Sequence, residues 1–420
     1  MSDDRQETAV ASCPFQSIGR EYAAFEHEPM YAFFSRVRPL APIFYSDEIG
    51  YWVVTRRVDA LTALRDHERF SAEIATQPVQ PWPQQITGYL KQRNFTNEAV
   101  QVACDPPRHT RIRQIAARFL NVRQFSLYEE QFRQLVNSYL DRIEGQDEAD
   151  LVDAIFYEFP AQVVFLLLGE DGFDPRKIKQ WGDLRLNMIW GKPSDAELEA
   201  GARDLADFWD YTVNLVEERK KKPGNDYPSF LLEKRAGDDS VLTENEIKSL
   251  VFGLLLAGHE TTTNAAGNIT LELLRHPKQW RRIVADPALI PNAVEEGLRF
   301  ASSVVTWRRT AKEDVIVAGQ EIPKGSKILI ALGSANRDES HFDEPEEFDV
   351  ERDNPRDHLS FGNGTHACLG APLARLELRI LLEELTRRFP NMTLVPDQEI
   401  EWTKTISFRG PDKLRVRLHG

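Results

Sequence analysis

The segment with the clearest chemical potential is residues 361–370, which read FGNGTHACLG. Gly362 and Gly364 allow backbone turns that other residues avoid, and they let a flat ligand approach the chain closely. A helix is predicted directly afterwards, so Cys368 lies just before or within its first turn, where unpaired amides and the helix dipole stabilise a thiolate. A lone cysteine is usually a small buried apolar residue. The glycines and the helix start favour a thiolate ligand here.

A second group of reactive side chains occupies residues 259–263, which read HETTT. The preceding segment is apolar on every face, and a carboxylate followed by β-branched hydroxyls is a poor choice for the interior of a buried helix. Two interpretations stay open. The side chains bond back to the carbonyls of the preceding turn, or the helix is locally opened so that Glu260 and a threonine handle protons.

Helices must position both groups. Residues 243–246, TENE, match a capping box, in which a threonine hydroxyl and a glutamate carboxylate satisfy free amides at a helix start. No breaker except isolated glycines follows from Ile247 to about His276, which predicts one long central helix. The helix after Cys368 is indicated by apolar residues at spacings of three and four, which are Leu373, Leu376 and Ile380.

The rest of the chain predicts one mainly α domain with small β-sheets over residues 1–420, with a flexible N-terminus at 1–15. No repeat or long linker interrupts it. Strand-like pieces lie towards both ends, at residues 51–55, 315–318, 328–331 and 414–418. Residues 77–84 contain three prolines and predict an irregular loop, which could cover a pocket.

Composition narrows the class of protein. Asp plus Glu number 66 and Lys plus Arg 52, so the net charge of −14 argues against nucleic acid as the main ligand. The three cysteines include no C-x-x-C pair, which favours a reducing compartment and disfavours zinc. The acidic N-terminus shows no signal peptide, and the apolar runs are far shorter than the ~20 residues that span a bilayer. We expect a soluble, cytoplasmic protein without a membrane partner.

With these residues in view, the sequence resembles the cytochrome P450 superfamily, whose haem-binding loop is F-x-x-G-x-[HR]-x-C-x-G. The residues that match this loop are Phe361, Gly364, His366, Cys368 and Gly370. Other family motifs occur in the expected order: A-G-x-[DE]-T at 257–261, E-x-x-R at Glu296 and Arg299, and a segment at 348–352 whose Arg352 completes a Glu-Arg-Arg cluster. Residues 105–113 resemble the stretch that holds the haem propionates.

The resemblance implies a single-domain fold with haem b, iron protoporphyrin IX, between the central helix and the cysteine helix. Cys368 is then the iron ligand, and Glu260 and Thr261 are the catalytic acid and alcohol that deliver protons during O₂ cleavage. The implied remaining haem contacts are Phe361 and Gly362 in the loop, and His109, Arg113, Arg309 and His366 at the propionates. Arg308 is an alternative to Arg309.

The resemblance also implies a soluble bacterial-type monooxygenase that takes its two electrons from a separate protein. No flavin, nucleotide or iron–sulfur segment is visible, so NAD(P)H acts indirectly, through a ferredoxin or flavodoxin. Ordinary helix solvation and a docking surface are equally good explanations of the arginines in the two helices that border the cysteine side. These arginines are Arg108, Arg111, Arg118, Arg375, Arg379, Arg387 and Arg388.

Position within the motifs indicates a mostly apolar substrate pocket. Its predicted residues are Gly253, Leu256 and Ala257 on the central helix, Val304 and Val305 after the E-x-x-R helix, and Ile406 and Phe408 near the end of the chain. The proline-rich loop around Trp82 forms the predicted entrance. We therefore expect hydroxylation or O-dealkylation of a small apolar or aromatic compound.

Two alternatives remain. A peroxide-driven relative often lacks the acid–alcohol pair, which is intact here as Glu260 and Thr261. A non-catalytic haem sensor or binding protein needs no proton delivery, so the same pair argues against it. Product formation with a reductase system, compared with peroxide alone, separates these readings.

Overall fold

The computed structural model describes residues 2–170 and 172–420. It confirms a mainly α fold with small β-sheets. The α-helices are α1 Ser2–Ala11, α2 Gln16–Glu21, α3 Met30–Val37, α4 Arg57–Arg65, α5 Gln84–Gln92, α6 Arg108–Ala116, α7 Val122–Ser126, α8 Glu129–Asp141, α9 Phe159–Leu168, α10 Pro175–Trp190, α11 Asp195–Lys221, α12 Tyr227–Arg235, α13 Glu244–Ala257, α14 Glu260–Arg275, α15 Pro277–Ala285, α16 Ile290–Phe300, α17 Leu332–Ala335 and α18 Ala371–Arg388.

The strands are short. They are β1 Ile43–Ser46, β2 Tyr51–Val54, β3 Phe70–Ser71, β4 Glu148–Asp150, β5 Trp307–Ala311, β6 Val315–Val317, β7 Gln320–Ile322, β8 Lys327–Ile330, β9 Thr393–Leu394 and β10 Arg415–Arg417. The four predicted strand segments therefore appear as β2, β6, β8 and β10, each within one residue or two of the expected bounds. Among the residues that the structure describes, no helix is long and apolar enough to cross a membrane.

The described chain divides into two compact units, each assembled from three separate stretches. The first unit comprises Met1–Gln77, Asn268–Cys368 and Ile400–Asp412. Its five-stranded sheet has the order β1-β2-β8-β5-β3, in which only β2 and β8 are parallel. Apolar β-branched and aromatic residues form the pairs across this parallel junction, such as Trp52 with Ile328, and they are buried on the sheet.

The N-terminal stretch, for which the sequence predicts flexibility at residues 1–15, begins with a helix in its described part. Residues 2–11 form α1, and Ala9 and Cys13 are buried in the same core as the sheet residue Ile330. The hydroxyl of Ser12 also donates to Ala9 O at 2.9 Å, closing the end of the helix. Apolar burial therefore orders this segment. Residue 1 lies outside the described part of the chain.

The second unit comprises Pro78–Gly267, Leu369–Glu399 and Lys413–Gly420. Aromatic packing holds its helices: the Phe208 ring of α11 lies 5.1 Å from Trp181 of α10 and 5.0 Å from Phe252 of α13, measured between ring centroids. The second unit also contains the small sheet with the strand order β4-β10-β9. α13 therefore packs in an aromatic core, which fixes its position beside α10.

The proline-rich segment 77–84 is an irregular loop, as predicted. The indole Nε1 of Trp82 donates to Met188 O at 3.0 Å, and the amide of Val79 donates to Ile189 O at 2.9 Å. Both acceptors belong to the last turn of α10. The loop is therefore attached to the C-terminal end of α10.

Candidate active site

The cysteine loop is closed by its own backbone. The amide of Cys368 donates to Phe361 O at 2.9 Å, and the amide of Ala367 donates to Gly364 O at 3.1 Å. Gly364 has φ +70°, and a Cβ there would lie 2.9 Å from Leu64 O, so the close approach of the chain to α4 requires glycine. α18 begins at Ala371, which places Cys368 just before the helix.

The exposure of Cys368 separates it from the other two cysteines. Cys13 and Cys104 are buried, as small apolar residues usually are, whereas Cys368 is exposed, and none of the three is in a disulfide. The closed loop thus presents the Cys368 thiol rather than packing it away. This is the arrangement that a ligand-binding thiolate requires.

The two adjacent arginines of β5 are both buried but have different surroundings. Successive side chains of a strand lie on opposite faces. The Arg308 guanidinium donates to Ala75 O at 2.8 Å and to Tyr51 Oη at 3.4 Å, and Arg309 donates to the carbonyl oxygen of Arg308 at 2.8 Å. The Arg308 guanidinium is thus already hydrogen-bonded within the first unit. Arg309 remains the better candidate for a propionate contact.

The structure brings together the three residues of the expected Glu-Arg-Arg cluster. Arg299 makes two hydrogen bonds to the Glu296 carboxylate, at 2.7 and 2.8 Å, and Arg352 Nε lies 3.2 Å from both oxygens of the same group. Arg299 also donates to the carbonyls of Asn336 and Glu347 at 3.0 Å. The buried carboxylate therefore joins α16 to the chain segments that precede the cysteine loop.

The predicted pocket residues of the first unit form a small cluster, in which two of the side chains have no exposed surface. Val304 pairs with Phe408 in an isolated bridge, and the Val305 amide donates to Ser407 O at 2.8 Å. Val305 and Ile406 are fully buried by this pairing, so they present no surface to a ligand. Val304 is half-buried and Phe408 is almost fully buried.

The second unit carries two of the predicted haem contacts. His109 and Arg113 lie four residues apart on α6, so both are on one face of the helix. His109 is buried and Arg113 is partly exposed. Their spacing is what two contacts to one carboxylate edge require.

The central helix is broken, which corrects the expectation of one uninterrupted helix. α13 ends at Ala257, and α14 begins at Glu260 after a turn at Gly258 and His259. A Cβ at position 258 would lie 2.5 Å from Val164 Cγ2 of α9, so only glycine fits. The capping box at the start of α13 forms as predicted. Local opening at the acid, one of the two open interpretations, is therefore observed.

The hydroxyls beside the acid have separate partners. Thr261 Oγ1 lies 3.4 Å from Ala257 O, in the manner of a bond back to the preceding turn, whereas Thr263 Oγ1 donates to Phe156 O at 2.8 Å. Thr261 is partly exposed, and Thr263 is buried. Only Thr261 of this pair is thus available to an outside group.

Glu260 lies in a buried charge cluster that the sequence did not reveal. Lys179 Nζ of α10 is 2.8 Å from Glu260 Oε1, and His259 Nδ1 is 2.9 Å from the same oxygen. Burial opposes ionisation of Glu260, but the Lys179 ammonium and His259 outweigh it and lower the pKa of the carboxyl. Burial lowers the pKa of His259, so its imidazole stays neutral.

Asp183 connects this cluster to solvent. It is exposed, and the Tyr157 hydroxyl donates to its Oδ2 at 2.7 Å. Desolvation by the surrounding helices and then the negative charge of Glu260 raise the pKa of Asp183. Two neighbouring carboxyl groups thus differ in proton affinity, the outer one holding its proton more strongly.

Gly182 explains how α10 comes so close to the acid. A Cβ at this position would lie 2.8 Å from His259 Cε1 and 3.0 Å from Glu260 Oε1. Sequence reasoning missed Lys179, Gly182 and Asp183, although a lysine three residues before a glycine and four before an aspartate gave a weak sign of a charged helix face. Nothing in the sequence identifies that face as buried.

Three predicted pocket residues lie on α13. Ala257 is exposed, Gly253 and Leu256 are half-buried, and a Cβ added at Gly253 would meet nothing within 4 Å. Their neighbours Phe252 and Leu255 are buried. α13 therefore has one face packed in the core and one face beside open space.

Most of the arginines considered for partner docking are neutralised. Arg108 and Arg111 lie 3.0 and 2.6 Å from Glu246 oxygens, and Arg379 lies 2.6 Å from Glu129. Arg387 and Arg388 also pair with acids, at 2.5 Å from Glu384 and 2.6 Å from Asp141. The concentration of positive charge suggested by the sequence is accordingly weaker in the folded chain.

Comparisons with known proteins agree with this geometry. The sequence model of the family described as Cytochrome P450 matches residues 83–405. The chain is 34% identical over 406 residues to 6-deoxyerythronolide B hydroxylase of Saccharopolyspora erythraea, covering 94% of this chain and 97% of the relative. It is 32% identical to mycinamicin IV hydroxylase/epoxidase of Micromonospora griseorubida, covering 95% and 94%. The solved structure of cytochrome P450 CREJ with (4-ethylphenyl) dihydrogen phosphate superposes with a TM-score of 0.93 at 37% identity, covering 96% and 100%.

The chain belongs to the cytochrome P450 family. It is therefore a bacterial-type oxidoreductase that works with haem iron, O₂ and NAD(P)H-derived electrons passed on by redox partners. The cysteine loop fits a haem, because Cys368 offers an exposed thiol, the donor that the cofactor needs, from a glycine-containing loop.

Proposed function

We propose that this chain is a haem-thiolate monooxygenase that inserts one oxygen atom of O₂ into a small apolar or aromatic compound, by hydroxylation or O-dealkylation. The observation that carries the proposal is the exposed Cys368 in its closed loop. Cys368 is the iron ligand, and the proposed haem contacts are Phe361, Gly362, His109, Arg113, Arg309 and His366. Haem, when bound, supplies O₂ activation, which a thiolate ligand favours.

The protein's own contribution to proton delivery is assigned to Glu260 and Thr261. Lys179 and His259 keep the Glu260 carboxylate ionised and in place. Asp183 holds a proton at the exposed end of the cluster, next to Tyr157. We assign Asp183 as the group that exchanges protons with solvent and the partly exposed Thr261 hydroxyl as the group that passes a proton on, while the ionised Glu260 carboxylate stabilises the positive charge in transit.

The substrate proposal rests on α13 and on one relative. Gly253, Leu256 and Ala257 offer a surface without charged groups, which suits an apolar or aromatic body. The alkylphenyl ligand of the CREJ structure supports an aromatic substrate for this chain.

Electrons are proposed to come from a separate ferredoxin or flavodoxin. Arg118 is the member of the proposed docking set best suited to contact it, because this arginine is exposed and has no carboxylate partner among the residues that the structure describes. We propose a cytoplasmic location, which the absence of a disulfide among the three cysteines supports. We also propose that the two units work as one catalytic domain.

The test is reconstitution. Reduced protein saturated with carbon monoxide should give the strongly red-shifted Soret absorbance of a thiolate-bound haem, and Cys368→Ser should lose that absorbance, while Cys104→Ser, a buried matched control, should keep it. Product should form with ferredoxin, reductase and NAD(P)H. Product with peroxide alone at the same rate would support the peroxide-driven alternative and contradict the proposal.

A further inference from the structure

Arg185 lies on the face of α10 that approaches the acid. It follows Gly182 by three residues, and residues at this spacing share one side of a helix. Its guanidinium carbon is 5.5 Å from the centroid of the Phe252 ring on α13. Phe252 directly precedes Gly253, beside which a side chain would meet open space. Arg185 therefore lies between α10 and α13, beside the residue that precedes Gly253, and its side chain is partly exposed.

This arginine has no counter-ion in the part of the chain that the structure describes. Within residues 2–170 and 172–420 its guanidinium makes no hydrogen bond or ion pair. It makes a cation–π contact with the Phe252 ring. Desolvation alone lowers the pKa of Arg185 to about 10. The pKa of Arg111 is raised instead, because that side chain is hydrogen-bonded to Glu246. Arg185 is therefore a partly exposed side chain, surrounded by enough protein to lower its pKa, that is still cationic at neutral pH.

The two acids described beside α10 have other partners. Asp183 accepts from the Tyr157 hydroxyl, and Glu260 is bound to Lys179 and His259. A cation–π contact contributes about 0.5–2 kcal/mol and offsets only part of the cost of desolvating a charge. A protein that merely needed to fill this position could use methionine or leucine. The unpaired and partly exposed charge leaves Arg185 able to bind an anion from outside the chain.

We propose that Arg185 binds an anionic oxygen group, a carboxylate or a phosphate, carried by the substrate. This rests on the proposed function and narrows it: the substrate has an aromatic or apolar body, which lies against α13, and an acidic group at the opposite end. A guanidinium suits both groups because its parallel N–H bonds match two oxygens of a carboxylate or phosphate. Arg185 is thus a specificity-determining residue rather than a proton-handling one.

The experiment compares three probes of matched shape on the haem-loaded protein: 4-propylphenyl phosphate, 4-propylbenzoate and 4-propylphenol. Binding is followed by the substrate-induced spin-state change of the Soret band and, independently, by calorimetry. The wild-type protein should bind at least one anionic probe about tenfold or more tightly than the phenol, which corresponds to about 1.4 kcal/mol. The tighter of the two anionic probes identifies the group.

Arg185→Met should abolish the preference for the anion and leave phenol binding unchanged. Arg185→Lys should keep part of the preference, because it retains the charge but not the forked geometry. Arg203→Met, on the exposed side of α11, is the matched control and should behave as wild type. Unchanged binding of the anions to Arg185→Met, or a wild-type preference for the phenol, would overturn the assignment.

The carbon monoxide spectrum separates this result from failure of the proposed function. A normal thiolate spectrum with no anion preference refutes only the role of Arg185. An absent thiolate band refutes the assignment of Cys368, while calorimetry still reports whether Arg185 selects anions.

Discussion

Replacing Lys179 with methionine tests the buried charge cluster directly. The side chain of Lys179 has no exposed surface, and that of Glu260 is 7% exposed, with 2.8 Å between the ammonium nitrogen and the carboxylate oxygen. Methionine keeps most of the volume and removes the charge. Breaking a buried ion pair by removing one partner costs about 3–5 kcal/mol. Because His259 still contacts Glu260, we expect a loss of about 3 kcal/mol at pH 8.

The loss should depend on pH with a definite sign. In the wild-type protein the pKa of Glu260 is below its unfolded value, so its contribution to stability is present above the unfolded pKa and is lost as the pH falls through the folded one. Without Lys179, burial dominates and raises the pKa of Glu260 above the unfolded value. In Lys179→Met, protonation of Glu260 then removes the cost of burying its negative charge. The difference between variant and wild type should be largest at pH 8 and smaller at pH 5.

The assay is urea unfolding of the haem-loaded protein, followed by tryptophan fluorescence at both pH values. A double-mutant cycle with Glu260→Gln measures the pair itself, and we expect a coupling of about 2–3 kcal/mol. Lys177→Met is the control: this lysine lies on the same helix, is partly exposed and contacts the Gln180 side chain at 3.4 Å. If Lys179→Met costs the same in the wild-type and Glu260→Gln backgrounds, the electrostatic explanation is wrong.

Three further predictions use the same structure. Thr261→Ala should divert electrons from product to peroxide and lower product yield about tenfold or more, measured as product and peroxide per NAD(P)H; unchanged coupling would place the proton route elsewhere. Gly182→Ala should destabilise the fold by about 1–3 kcal/mol, because its Cβ would lie 2.8 Å from His259 Cε1. The control Gly88→Ala, whose Cβ would have nothing within 4 Å, should not be destabilised, and thermal unfolding of the two variants tests this difference. Arg352→Ala should cost about 2–4 kcal/mol by leaving the Glu296 carboxylate with one arginine, and equal urea midpoints would contradict this.

The sequence could predict features that depend on local patterns. The capping box at residues 243–246, the strand at 51–55 and the helix after Cys368 each follow from a few neighbouring residues, and each appears in the structure. The glycines of the cysteine loop could also be interpreted, because their backbone angles depend on position within the loop.

Features that depend on contacts between distant segments could not be predicted. The requirement for glycine at position 258 arises from Val164 of α9, which is far away in the sequence. The lysine that holds Glu260 likewise lies on another helix, and no periodicity reveals that a charged residue of α10 is completely buried. The full burial of Val305 could not be predicted either, because position near a motif does not show whether a side chain faces a ligand or its own core.

The positions along α10 differ in how freely they can be substituted, which matters for engineering a broader substrate range. Positions 179 and 182 are fixed by the acid that they accommodate, whereas Arg185, one turn further on, contacts the Phe252 ring and makes no hydrogen bond or ion pair with the residues that the structure describes. A combinatorial library that randomises the whole helix would mostly return inactive clones. A library that varies only position 185 and the loop attached to the end of the same helix through Trp82 would explore new substrates and leave the residues around Glu260 unchanged.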